Sequence, residues 1–244
     1  EFRRVSSDLV VAHPYSNFSD PSLIAAFPEF QGVDYEYRAY DNAEEFFDRG
    51  LTTQTSLGIS AATEKSSFNT TVSYVNEEGF MPNNELTRFN FGVGFNSKIT
   101  DKLTVNSTLN LALTENTAPP LGASTGSSAS GNGSAFYANV LYTPRTVDLN
   151  GLPFEHPVDG RSVYYRGGND IPNPNWIAEY TRAGSDVSRV SGKMALTYDI
   201  LDNLSVTYRG GFDTYNEFQE YVVNAGIGPG PSNPDLDACI YRTT

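Results

Sequence analysis

The chain has 244 residues, a formal net charge of −13, a pI near 4.5 and a mean hydropathy of −0.38. With 16 Lys and Arg against 29 Asp and Glu it lacks the clustered cations of a nucleic-acid surface, and one Cys with two His excludes a disulfide framework or an ordinary zinc site. No run approaches the roughly 18–20 apolar residues of a membrane-spanning helix, while 15 Tyr and 15 Phe argue against disorder, which leaves a soluble β protein or a membrane β-barrel.

Glu1-Phe2-Arg3-Arg4-Val5 lacks the apolar core and cleavage site of a signal peptide. Residues 1–50 read as a loop-rich segment. Pro14 to Glu36 is loop-like and dense in Phe, Tyr and Pro, and Asp41 to Gly50 predicts a short helix capped by Asp or Asn and ended by Gly50.

Residues 51–115 predict four strands by period-two alternation. Leu57, Ile59 and Ala61 share one face, with Gln, Ser and Gly on the other. Phe68, Thr70, Val72 and Tyr74 follow after a turn at 64–66. Phe89, Phe91, Val93 and Phe95 then oppose Arg88, Asn90, Gly92 and Gly94. Beyond the turn at 100–102, Val105, Leu109, Leu111 and Leu113 oppose Thr104, Asn106, Thr108 and Asn110. Gly92, Gly94 and the later Gly210-Gly211 read as space for a bulge or close neighbour rather than phosphate cradles.

Residues 116–187 predict one long extracellular loop. It holds a Gly/Ser/Thr/Ala tract over 123–134, a short helix or strand over Phe136–Tyr142, and a helical turn at Trp176–Tyr180 ended by Gly184. Its aromatics predict a packed excursion. Residues 188–215 predict a third hairpin: Val190, Met194, Leu196, Tyr198, Val206, Tyr208 and Phe212 share the apolar face, while Arg189, Lys193, Arg209 and Asp213 share the other. Its turn at 201–203 is built like the one at 100–102. Residues 216–244 read as the start of another extracellular loop, with no finished element at Cys239–Thr244.

Six strands of about ten residues, joined alternately by short turns and long loops, suit an antiparallel all-β transmembrane barrel segment better than a β-sandwich. On that reading Leu57, Ile59, Phe68, Val72, Tyr74, Phe89, Phe91, Val93, Phe95, Leu109, Leu111, Leu196, Tyr198, Val206, Tyr208 and Phe212 face lipid. Arg88, Asn90, Arg189, Lys193, Arg209 and Asp213 face the lumen, where the charges pair.

No catalytic constellation is visible. His13 and His156 each precede proline in loops and read as surface histidines. Glu44-Glu45 and Glu77-Glu78 read as solvated charge outside the strands. Asp148–Gly151 and Asp159-Gly160 lack the twelve-residue calcium pattern, so no metal or cofactor is expected. Tyr164, Tyr165, Trp176 and Tyr180 are candidates for stacking on a sugar or gripping a peptide, with packing of the loop against itself as the competing reading.

The order of these pieces carries a resemblance. An acidic-aromatic segment ending in Arg49-Gly50 precedes a Leu57-Gly58-Ile59-Ser60 strand, then Ser67 to Tyr74, the Asn76–Phe80 turn and a strand opening on Thr87-Arg88-Phe89-Asn90-Phe91. Asn173-Pro174-Asn175-Trp176 and Arg209-Gly210-Gly211-Phe212-Asp213 follow. Over residues 40–115 and 170–215 the chain resembles the front of the barrel of SusC/RagA-type TonB-dependent outer-membrane transporters. That family places a plug before a barrel of twenty-two strands. The resemblance implies a fragment lacking plug and TonB box and an outer membrane of a Gram-negative, Bacteroidota-like cell. It implies import of oligosaccharide or peptide energised through TonB, and a SusD-like surface lipoprotein as lid. Rival readings are a small barrel with further strands at Phe136–Tyr142 and Glu220–Gly226, a barrel retained as a structural platform in a surface complex, and a soluble β-sandwich adhesin or glycan-binding module.

Overall fold

A computed structural model describes residues 10–18, 20–36, 38–119, 136–165, 172–224, 226 and 239–243. A small antiparallel ribbon pairs β1 (Val10–Ala12) with β2 (Asp34–Glu36). The main sheet runs in strict sequence order through β3 (Leu51–Ala62), β4 (Ser66–Glu78), β5 (Glu85–Lys98), β6 (Leu103–Ala118), β7 (Thr181–Leu201), β8 (Leu204–Val223) and β9 (Cys239–Thr243). Every pairing is antiparallel, and the sheet is open, with β3 and β9 at its two edges. The fold is thus all-β, with four short helices outside the sheet among the described residues: α1 (Pro21–Ala26), α2 (Asn42–Phe46), α3 (Phe136–Tyr142) and α4 (Pro174–Tyr180).

Several expectations need correction. The main sheet has seven strands rather than six, because Cys239–Thr243 pairs with the end of β8. The strands also outrun their predicted limits: β6 continues to Ala118, β7 starts at Thr181 and β8 reaches Val223. Gly184 therefore lies inside a strand and ends no helix; α4 stops at Tyr180, where Thr181 turns extended. Glu220–Gly226 holds the tail of β8 rather than a separate strand, and Phe136–Tyr142 is helical. Glu77 and Glu78 belong to β4. The predicted helix at Asp41–Gly50 is real but ends at Phe46: the Asp41 side chain accepts from the Glu44 backbone N–H, and Phe47 is already extended. Pro14 to Glu36 is ordered into a 3-10 turn at Pro14–Asn17, then α1, a second 3-10 turn at Pro28–Phe30, and β2. The predicted tract at 123–134, Glu1–Val5, Pro120–Gly122, Arg166–Gly168 and Ile171 lie outside the described residues.

Residues 10–50 and 136–180, a hundred apart in sequence, fold together as a cap at the long-loop end of the sheet. One core holds Phe46, Met81, Val140, Leu149, Tyr164, Trp176 and Ile177; a second holds Tyr15, Phe18, Leu23, Phe27 and Val163, with Tyr165 packed on both. Buried polar groups link the two segments. The Asn42 amide donates to Val147 O at 2.9 Å and its Oδ1 accepts from Leu149 N at 3.0 Å. Tyr40 N donates to Arg145 O at 2.8 Å, and the Tyr15 hydroxyl donates to Pro153 O at 2.5 Å. These bonds satisfy loop backbone that could not be buried bare.

Candidate functional site

Register decides which side chains share a face, since directly opposed residues point the same way and a slip of one would invert them all. One row runs Leu57, Val72, Phe91, Leu111, Val190 and Thr214; the next runs Ile59, Thr70, Val93, Leu109, Gly192 and Phe212. Phe68 and Phe95 are paired, as are Tyr74 and Phe89, Leu196 and Tyr208, and Tyr198 and Val206. All sixteen residues predicted to meet lipid therefore lie on one continuous face. Nothing in the described chain covers it: Leu57 is 62% exposed, Phe212 57% and Tyr208 67%. The face is also fitted to itself. A Cβ on Gly192 would come within 2.6 Å of the Phe212 ring, so the ring occupies space that the glycine leaves open on β7.

Along β6 the apolar face reads Leu103, Val105, Ser107, Leu109, Leu111 and Leu113, then turns to Glu115 and Thr117. β7 does the same: Val190 to Tyr198 is followed, toward the cap, by Ser188, Asp186 and Gly184. The apolar surface is thus a band with a sharp upper limit.

Arg88, Asn90, Arg189, Lys193, Arg209 and Asp213 stand together on the opposite face. There Arg189 Nε donates to Asp213 Oδ1 at 2.9 Å, and the Asn90 amide donates to Ser73 Oγ at 3.2 Å. The expected pairing of the charges is realised for Arg189 and Asp213 only; among the described residues Arg88, Lys193 and Arg209 form no ion pair. That leaves three cations without an ion pair on a face rich in Asn, Ser, Thr and Gly.

In the cap, Trp176 is fully buried and donates its indole N–H to Gly160 O at 2.9 Å, and Tyr164 is buried with its hydroxyl 2.6 Å from Thr143 Oγ1. These two rings are packed into the core, as the competing reading of loop self-packing has it. Tyr165 and Tyr180 are half-buried. Tyr180 donates its hydroxyl to Glu155 at 2.6 Å, and this bond to a carboxylate pushes its pKa up to about 12.

Both histidines are buried at 5% exposure rather than on the surface. His13 stacks on Phe30 at 4.2 Å and accepts from Tyr15 N through Nδ1, and burial lowers its pKa. His156 Nδ1 lies 2.9 Å from Asp159 Oδ1. Arg161, also buried, reaches Asp20 at 3.1 Å and so ties α1 to the loop. Burial pushes the Asp20 pKa upward, but the Ser22 hydrogen bonds and the Arg161 charge outweigh it and hold the carboxyl below its ordinary value. Burial likewise raises Tyr15, and burial with the Tyr40 hydrogen bond raises Tyr35. Asp148 spends its carboxylate on the Gly151 N–H at 2.8 Å, and no group of three or more metal-type ligands forms among the described residues.

The open sheet, its two unlike faces and its cap define an antiparallel β-wall with one apolar and one polar side. No family model matches the chain, and no curated protein does. Solved structures of a similar fold are chains of the RagAB peptide importer. In its closed-closed state the TM-score is 0.64 at 20% identity, over 97% of this chain and 26% of that one. In its open-open state it is 0.64 at 21%, over 97% and 25%. A further structure of the RagAB peptide transporter gives 0.58 at 20%, over 84% and 22%. The chain therefore has a RagA/SusC-like fold and spans about a quarter of the length of those proteins.

Proposed function

We propose that this chain is a length of wall from a TonB-dependent outer-membrane transporter of SusC/RagA type. The observation that carries the reading is the uncovered apolar band. From Leu103 to Leu113 the band covers ten residue steps, about 34 Å at ~3.4 Å per residue. Strands tilted as in membrane barrels, at roughly 35–45°, reduce that to about 24–28 Å, the height of a barrel's lipid-facing belt near 25 Å. A face of this extent left to water would drive aggregation. A sandwich would bury it under a second sheet, and no second sheet of the described chain does so.

On this reading the sixteen apolar residues meet lipid, and Arg88, Asn90, Arg189, Lys193, Arg209 and Asp213 line a water-filled lumen. The cap stands on the cell surface. The complete protein would bind cargo and gate its passage without covalent chemistry, driven through TonB and closed by a SusD-like lipoprotein. Peptide ranks ahead of oligosaccharide as cargo because the structural relatives are a peptide importer. The test is uptake of fluorescent peptides and oligosaccharides by cells with and without the complete gene. Peptide accumulation that requires the gene and collapses with an uncoupler is expected. Unchanged accumulation of both cargo classes in the deletion strain, with the protein present in the outer membrane, would instead favour a structural platform. Recovery of the protein in the aqueous fraction without detergent would sink the membrane assignment.

A further inference from the structure

A hollow of about 530 Å³ lies in the apolar face itself, where β6, β7 and β8 run side by side. Ser107 and Leu109 bound it on β6, Gly192 and Met194 on β7, and Tyr208, Gly210 and Phe212 on β8. Its size falls within the roughly 300–1,000 Å³ of small-ligand sites, and apolar residues make most of its lining.

Two glycines make it. Among the described strands, Gly192 and Gly210 are the glycines that fall on the apolar face within the band, and they lie on a diagonal: Gly192 opposes Phe212, and Gly210 opposes Met194. The two positions are filled differently. The Phe212 ring lies over Gly192, within 2.6 Å of where a Cβ would stand. At Gly210 the nearest atom to such a Cβ is Tyr208 Cε1, at 3.9 Å. By leaning across to β7, Phe212 leaves Gly210 bare between two rings. Their residues are four steps apart on β8, about 14 Å at ~3.4 Å per residue.

Register gives the depth and, with it, the kind of occupant. Tyr208 stands in the row of Leu196 and Val105, and Phe212 in the row of Gly192 and Leu109. Counted from Leu103, the band's limit at the short-turn end, those rows lie two and six steps up the ten that end at Leu113. The hollow thus starts inside the band near the short turns and ends just past its middle. On the membrane reading, on which this inference rests, it opens only to hydrocarbon. A peptide or sugar would lose its water there without gaining a partner. A flexible apolar chain reaches it freely. In hydrocarbon no hydrophobic force ranks one apolar contact above another, so retention has to come from close packing, for which glycine gives the room. A chain laid between the rings of Tyr208 and Phe212 restores dispersion contacts that an unfilled hollow forgoes. Met194, unbranched and exposed, adapts to its path.

We propose that this hollow holds one acyl chain of a phospholipid from the leaflet on the short-turn side, retained while the surrounding lipid exchanges. The complete protein is extracted from its membrane in mild detergent and weighed by native mass spectrometry, with its fold checked by heat-modifiable gel mobility. One retained phospholipid per protein is expected. Gly210→Leu fills the hollow from an open position, and Tyr208→Ala removes one wall; each is expected to lower retention about tenfold. Val72→Leu, on the same face but two strands from the nearest wall, is expected to leave it unchanged. Folded protein with no retained lipid, or retention that ignores both variants of the hollow, would overturn the site and leave the membrane reading standing. Retention of a lipopolysaccharide in place of a phospholipid would overturn the source. A dimer that Gly210→Leu dissociates would give the hollow to a second copy of the chain instead. Recovery of the protein without detergent would remove the membrane reading and the site together.

Discussion

Placing a charge at adjacent positions of β6 separates the two faces most directly. Leu109 sits near the middle of the apolar band, and Asn110 beside it lies on the polar face. On the proposed lipid-facing reading, Leu109→Arg puts a guanidinium close to the bilayer midplane, where such a change costs about 2–4 kcal/mol in a membrane barrel. That lowers the folding constant by about 30- to 700-fold at ~1.4 kcal/mol per tenfold. Asn110→Arg places the same group in water and is expected to stay within about 0.5 kcal/mol. Leu103→Arg and Leu113→Arg, at the two limits of the band, are expected to cost only about 0–1 kcal/mol, because the side chain reaches the interface. The assay is denaturant unfolding of the complete protein in phospholipid vesicles, followed by heat-modifiable gel mobility. A profile that peaks at Leu109 and falls toward both ends is the signature of depth in a bilayer. If Leu109→Arg proved as mild as Asn110→Arg, or if the cost were equal at 103, 109 and 113, the apolar face would not be a lipid-facing belt.

Two further predictions concern the cap. Asn42→Ala removes the amide bonded to Val147 O and the acceptor of Leu149 N, leaving two buried backbone groups unmatched at about 1–3 kcal/mol each. Residues 136–165 are expected to become protease-sensitive while the sheet keeps its unfolding midpoint; coincident loss of both would show that cap and sheet are one cooperative unit. Tyr180 tests the pH dependence. Its folded pKa near 12 lies above the ordinary 10.0, so the stability from its bond to Glu155 is complete below pH 10 and lost as pH rises toward 12. Ring-labelled tyrosine NMR is expected to show this high titration and its descent toward 10 in Glu155→Gln; a titration already near 10 in the unaltered protein would refute the bond.

The alternation that located the strands is a property of the band alone, which is why their centres were legible and their ends were not. Between Val190 and Tyr198 one face must be apolar, and the sequence says so. Toward the cap, Arg182, Gly184 and Asp186 on one side face Thr181, Ala183 and Ser185 on the other, with no contrast to read. The β7 and β8 extensions are held by backbone pairing and by bonds such as Ser185 to Glu217 at 3.0 Å, which leave no periodic trace. The cap hid its histidines for a related reason. His13 and His156 are polar residues beside prolines, but their burial depends on Phe30 and Phe27, whose approach is a tertiary event. The sequence offered Asp41 or Asn42 as the helix cap; in the structure Asp41 takes that role and Asn42 clamps a segment a hundred residues away. The aromatic content of the long loop did announce a packed excursion, and Trp176 and Tyr164 became its core.

The free edge of β3 carries the last consequence. It is a strand of 12 residues that pairs with β4 and, among the described residues, with nothing on its other side. In an antiparallel sheet, alternate residues direct both N–H and C=O to one neighbour, so roughly six residues, and about twelve polar groups, point away from β4. Most of the strand lies at the height of the band, since Leu57 and Ile59 share rows with Leu111 and Leu109. Each such group left bare in hydrocarbon costs several kcal/mol. The sum, tens of kcal/mol, exceeds the 5–15 kcal/mol net stability of an ordinary fold. The seven-stranded sheet is therefore incompatible with a bilayer unless further strands close both edges. Expressed alone, residues 1–244 are expected to remain outside vesicles or aggregate along that edge, while the complete protein inserts with its strands protected from protease. Insertion of the isolated chain as a folded monomer would mean that it closes on itself, which would restore the small-barrel reading.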